Sequence, residues 1–64
     1  MNNSKVYDLR IKNGMTQNEL AEKSGIYLRQ IQRYDTGEND TGKMMLKNAI
    51  ALADALGCDV RDLL

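Results

Sequence analysis

The chain has 64 residues, enough for one small domain that buries only ~60% of the surface it exposes when unfolded. Nine basic and nine acidic side chains cancel, so no overall positive charge advertises a nucleic-acid partner. With no histidine and one cysteine, the chain holds no Ser–His or Cys–His nucleophile, no imidazole metal cage and no internal disulfide framework.

No apolar run approaches the ~20 residues of a membrane span. The stretch Met1-Asn2-Asn3-Ser4-Lys5 lacks the apolar core of a signal peptide, so a cytoplasmic domain without membrane contact is the expectation. No phosphate-cradling glycine loop of the P-loop type appears, and the acids are scattered over capping and surface positions. No enzyme, cofactor, metal or small-molecule substrate is therefore expected. Proline, phenylalanine and tryptophan are absent, β-branched residues are few, and apolar-polar alternation never lasts six residues. That pattern predicts an all-α fold.

Glycines at 14, 25, 37, 42 and 57 are the stop signals in a chain without proline. They divide it into five helical pieces within one domain, residues 1–64. The first runs from about Ser4 to Asn13, capped by Ser4 or Asn3, with Val6 and Leu9 on a shared buried face. Ile11 lies off that stripe, either lightly exposed or in contact with a partner. Gly14 ends this helix and Met15 plugs the turn. The second opens on Thr16-Gln17-Asn18-Glu19, which has capping-box spacing: the threonine caps the first turn and the glutamate reaches back to the cap amide. Leu20 and Ala21 form its buried side, and Gly25 closes it.

The third piece spans roughly Tyr27 to Thr36 and stops at Gly37. Ile31 and Tyr34 share one face, while Leu28, Arg29, Gln32, Arg33 and Thr36 share another. About three residues around Gly25 separate it from the second helix. So short a glycine turn makes the two cross steeply, a helix-turn-helix over about residues 17–36. Glu38 to Met45 reads as a polar loop. The adjacent Met44 and Met45 either pack from the loop onto the core or line a partner surface.

The fourth helix, about Leu46 to Leu56, has Leu46, Ala49, Ile50, Ala53 and Leu56 recurring at three and four. These define its predicted buried stripe, and Gly57 ends it. Cys58 reads as a small buried apolar residue. The last helix starts at Asp59 with Asp62 three residues on, and Val60, Leu63 and Leu64 seal the core.

The stretch from Glu19 to Arg33 carries the functional signal. Ala21 lets the crossing helices approach, Gly25 can take a positive φ, and Ile31 anchors the third helix from beneath. The opposite face is left free. It holds Arg29, Gln32 and Arg33, and no acid occurs from Tyr27 to Tyr34. Arginine can donate to guanine O6 and N7 together, and glutamine pairs with adenine N6 and N7.

On these residues the sequence resembles the Cro/C1-type helix-turn-helix family of bacterial and phage regulators. The likeness is carried by Leu9-Arg10, by the run from Gly14 to Ile26, by Ile31-Gln32-Arg33-Tyr34-Asp35-Thr36-Gly37, and by Leu52-Ala53-Asp54-Ala55-Leu56-Gly57-Cys58. It implies a five-helix, lambda-repressor-like domain whose third helix enters the major groove of double-stranded DNA. By matching position, Leu28, Arg29, Gln32 and Arg33 would face base edges. Gln17 and Asn18 would hold a phosphate at the start of the second helix, where backbone amides suit an anion. Tyr27 stands where the family usually has a serine or threonine that both caps and binds phosphate. A tyrosine cannot cap, although its hydroxyl reaches a phosphate. Asn39 and Lys43 would follow the DNA backbone. Met45 stands where a capping serine or threonine is common.

The resemblance also implies an ion pair between Arg10 and Asp35. An acid near a helix C-terminus opposes the macrodipole by about 0.3–1 kcal/mol, and a partner should offset it. The expected function is repression of transcription at a two-fold symmetric operator, in a bacterium or its mobile elements. A weak homodimer would form through the fourth helix and the Val60–Leu64 end. The rival reading is a protein-interaction module of the same fold that binds no DNA. Local charge separates the two. Residues 1–33 hold six basic and three acidic groups, net +3, and residues 34–64 hold the reverse, net −3. The acid-free face lies in the positive part.

Overall fold

The computed structural model describes residues 4–64. Its elements run α1 (Lys5–Lys12), α2 (Gln17–Ser24), α3 (Leu28–Thr36), a 3₁₀ turn (Thr41–Lys43), α4 (Leu46–Leu56) and a second 3₁₀ segment (Val60–Leu63). The fold is all-helical, with four α-helices where five helices were expected. The final piece differs because it is short and tightly capped. The Asp59 side chain accepts from the Arg61 N–H at 2.9 Å, and Asp62 accepts from the Asp59 N–H at 3.1 Å. Backbone bonds from Asp62 to Asp59 and from Leu64 to Arg61 then close i→i+3 turns rather than α turns.

Four side chains are fully buried at the centre, one from each helix: Val6, Leu20, Ile31 and Leu52. Ile26, Tyr34, Ala49, Ala53, Ala55, Leu56 and Leu63 complete the core. Leu9, Met15, Ala21, Met44, Cys58 and Val60 pack half-buried around it. The methionine pair therefore splits, Met44 against the core and Met45 exposed. Cys58 is half-buried rather than enclosed. Its burial, with Asp62 and Asp59 nearby, pushes the thiol above its ordinary pKa and keeps it protonated. Ile11 is exposed.

Local signals explain the boundaries. Ser4 caps α1, accepting from the Tyr7 N–H at 3.1 Å, while the other candidate, Asn3, lies outside the described residues. α1 ends at Lys12, one residue short of expectation, and Asn13 occupies its C-cap. The Asn13 side chain then donates to the carbonyls of Leu9 and Leu56, at 2.7 and 3.1 Å, tying the ends of α1 and α4 together. The α2 capping box is complete: Glu19 N–H to Thr16 Oγ1 at 3.1 Å and Thr16 N–H to Glu19 Oε1 at 2.8 Å. Those bonds hold the Glu19 carboxylate below the usual carboxylate range.

The buried face of α4 is rotated from the expected one. Leu46 is 69% exposed and Ile50 45%, whereas Leu52 is wholly covered. Positions 49, 52, 53 and 56 satisfy the helical recurrence as well as 46, 49, 50, 53 and 56 do. Tertiary packing decides between them, because α4 is gripped by α2 on one side and by the Val60–Leu63 segment on the other. The face shared by both contacts carries the alanines and Leu52. Leu46 and Ile50 are left to solvent.

Candidate nucleic-acid interface

Helix α3 presents two chemically distinct faces. Inward it places Ile31, Tyr34 and Asp35, all buried. Outward it places Arg29, Gln32 and Arg33, which with Thr36 and Glu38 line one shallow open cleft. Leu28 borders this face and is partly exposed, and Tyr27 stands nearly free at the helix start. Three of the four residues expected to face base edges, Arg29, Gln32 and Arg33, thus converge on one cleft, whose lining does not include Leu28. A residue that sequence reasoning had left in the loop, Glu38, joins them.

The turn into α3 is set by Gly25, whose φ of 74° lies in the left-handed region that costs a glycine nothing. Ser24 Oγ then accepts from the Ile26 N–H at 3.2 Å and steadies the crossing. Tyr27 occupies the α3 N-cap position with no side-chain cap bond. Its carbonyl accepts from both Gln30 and Ile31, each at 3.0 Å.

The inner face is anchored by a polar hub on Asp35. Arg10 Nε donates to Asp35 Oδ1 at 2.7 Å and Arg10 Nη2 to Oδ2 at 3.1 Å. Arg10 Nη1 donates to the Met15 carbonyl at 2.8 Å, and the Tyr7 ring lies 5.3 Å from the guanidinium. The hydrogen bonds to Asp35 raise the guanidinium above its already high pKa. Ser4 Oγ donates to the Asp35 carbonyl at 2.8 Å. No buried side-chain nitrogen or oxygen among the described residues lacks a partner. A bidentate, fully partnered pair of this kind fixes the angle of α3 against α1.

Gln17 joins the same hub. Its Nε2 donates to Asp35 Oδ2 at 3.1 Å. One amide N–H is thereby committed inward and the other remains available. Asn18 is exposed beside it. The backbone amides of Gln17 and Asn18 begin α2, and the capping box satisfies neither. Asn39 and Lys43 lie in the segment after α3 and do not line the cleft. The Asn39 N–H donates to the Arg33 carbonyl at 3.1 Å, and Lys43 is exposed on the 3₁₀ turn.

A family model described as helix-turn-helix matches residues 6–63, nearly the whole chain. The chain belongs to the Cro/C1-type helix-turn-helix family. It is accordingly a DNA-binding transcription regulator. Among solved structures, this Cro/C1-type chain is similar to the restriction-modification controller protein C.AhdI from Aeromonas hydrophila. The two share 28% sequence identity at a TM-score of 0.80, over 94% of this chain and 86% of that one. No curated protein matches it. Among the described residues, no cluster of potential metal ligands forms. No helix among them is long and apolar enough to cross a membrane.

Proposed function

We propose that this Cro/C1-type regulator is a repressor that inserts α3 into the major groove of a two-fold symmetric operator overlapping a promoter. The single observation behind this reading is the solvent-exposed face of α3 on which Arg29, Gln32 and Arg33 stand without an acid from the helix itself, braced from behind by buried Asp35. Arg29 and Arg33 would each donate in pairs to a guanine, Gln32 would pair with an adenine, and Leu28 would touch a thymine methyl. Residues 17–36 form the reading unit, within a single domain that also needs α1 and α4 for its core.

Phosphate contacts would set the register. Gln17 and Asn18 offer two open backbone amides and the second Gln17 side-chain N–H at the positive end of α2. Tyr27 offers its hydroxyl, and Asn39 and Lys43 extend the track along the DNA backbone. The Arg10–Asp35 pair would touch no DNA and would act by holding α3.

One domain reads only a few base pairs, so two copies would occupy half-sites about one helical turn, ~34 Å, apart. The exposed Leu46 and Ile50 on α4, with Leu64 beside the last 3₁₀ segment, give this dimer an apolar surface. A dimer resting on so few side chains would be weak, with operator DNA bringing the copies together.

Selection of bound sequences from a random duplex pool tests the reading. The expected result is a short palindromic motif, bound with an affinity that falls with salt at a log–log slope of about −0.9 per phosphate contacted. A pool that yields no motif, or binding indifferent to salt, overturns it in favour of a protein-interaction module.

A further inference from the structure

The carboxylate on the reading surface is the feature that the scheme above leaves unused. Arg29, Gln32, Arg33 and Thr36 line the outer cleft, and Glu38 is the acid that lines it with them. Its Oε2 lies 3.4 Å from Arg33 Nε, with both side chains largely exposed. Backbone geometry places it there. Gly37 ends α3 at φ 85°, a left-handed conformation that turns the chain back along the helix. The N–H of Gly37 donates to the Tyr34 carbonyl at 3.2 Å and that of Asn39 to the Arg33 carbonyl at 3.1 Å. These bonds tie the residues on either side of Glu38 to the last turn of α3. The carboxylate is thus carried beside Arg33 by the turn itself.

A guanidinium has two edges that can donate a pair of parallel hydrogen bonds. One consists of Nε with one Nη, and the other of the two Nη groups. Glu38 stands on the Nε edge. A guanine presenting O6 and N7 is then met by the Nη edge, with the carboxylate still in place. A phosphate is a different matter. It is an anion, like the carboxylate, so it is repelled by Glu38 and gains Arg33 only in competition with it. The pair therefore favours a neutral base edge over the DNA backbone as the partner of Arg33.

We propose that Glu38 is a specificity-determining residue, which positions Arg33 for guanine by holding its Nε edge and which lowers affinity for DNA of arbitrary sequence. This rests on the reading of α3 as a base-reading helix, and the test separates the two ideas. Exposed surface ion pairs contribute little to folding, so Glu38→Gln should melt at the wild-type temperature.

Three duplexes decide the matter: the selected operator, the operator altered at the base pair whose preference is lost in Arg33→Ala, and an unrelated sequence. Binding of the full chain is measured on each across a salt series. Glu38→Gln should tighten binding to the unrelated duplex by about fivefold, the scale of one surface ion pair. It should reduce discrimination at the Arg33 base pair by a similar factor. Its salt slope on the unrelated duplex should steepen by about 0.9 as Arg33 takes up a phosphate.

Glu38→Asp keeps the charge but shortens the reach. It should retain the weak binding to unrelated DNA while losing discrimination at that base pair. In an Arg33→Ala background, Glu38→Gln should leave base preference untouched. A selective wild-type protein whose discrimination is the same in Glu38→Gln overturns the role of Glu38 and leaves the base-reading helix standing. A wild-type protein that distinguishes none of the duplexes overturns both.

Discussion

The two faces of α3 belong to the same nine residues yet are built on opposite rules. On the inner face, Asp35 is 4% exposed and its carboxylate accepts three hydrogen bonds, from two nitrogens of Arg10 and one of Gln17. On the outer face, Arg33 forms an ion pair with Glu38, at 3.4 Å and in solvent. The inner pair is hard to remove, because either charge left in the interior loses its counter-charge and keeps only one neutral hydrogen-bond partner, Gln17 for Asp35 and the Met15 carbonyl for Arg10. The outer pair is easily exchanged for another partner. A helix whose orientation is fixed from one side can change partners on the other without loss of fold. The fixed pair positions the helix, and the exchangeable pair is the one that the proposed recognition of DNA would use.

The largest effect should come from breaking the fixed face. Arg10→Ala leaves Asp35 buried without its counter-charge and should cost about 3–5 kcal/mol of stability. In a domain of this size that is most of the folding free energy. Urea titration followed by circular dichroism measures it, and a variant that unfolds with the wild-type midpoint would remove the hub as the brace of α3. Arg33→Ala acts on the other face. It should leave the melting temperature unchanged while erasing about 1–3 kcal/mol of preference at one base pair, read by competition among operator variants. If it melted early, the separation of the two faces would fail.

A smaller effect sits where α3 begins. Tyr27→Ser supplies the missing N-cap and should stabilise the domain by roughly 1 kcal/mol, visible as a higher melting temperature. No gain would mean that the start of α3 is already held by the turn. The smallest effect concerns α2. Glu19 has a folded pKa below its ordinary value of 4.5 because of its bonds to Thr16. Its support is therefore complete above that value and is lost as pH falls through the lowered one. Glu19→Gln should flatten the acid limb of a melting-temperature profile, and an unchanged limb would show that other carboxylates set it.

Much of the fold was legible because its cues are local. Thr16 and Glu19 are three residues apart, and the box they form closes within one helical turn. Gly25 and Gly37 stand at helix ends that need a left-handed residue. The outer face of α3 was legible too, since helical spacing alone gathers Arg29, Gln32 and Arg33. What stayed hidden depends on contacts across the fold. Nothing in the order of residues 46–56 says which of two overlapping apolar stripes meets α2, so the exposure of Leu46 and Ile50 came only with the structure. Gln17 and Asp35 are 18 positions apart, and their hydrogen bond needs the crossing angle of α2 and α3. Arg10 and Asp35 are 25 apart, and only family resemblance could point to them. Glu38 lies beyond the helix end, where an acid reads as loop polarity until the backbone turn at Gly37 brings it to Arg33.

The placement of one fully buried side chain from each helix at the centre has a consequence for how the molecule comes apart. Val6, Leu20, Ile31 and Leu52 belong to one buried cluster, so withdrawing any single helix exposes apolar side chains of the others. Among the described residues the core is a single cluster drawn from all four helices, so the helix-turn-helix is not expected to fold alone. Amide hydrogens in the middle of all four helices should then exchange with solvent through one common opening and at similar free energy, as a single cooperative unit.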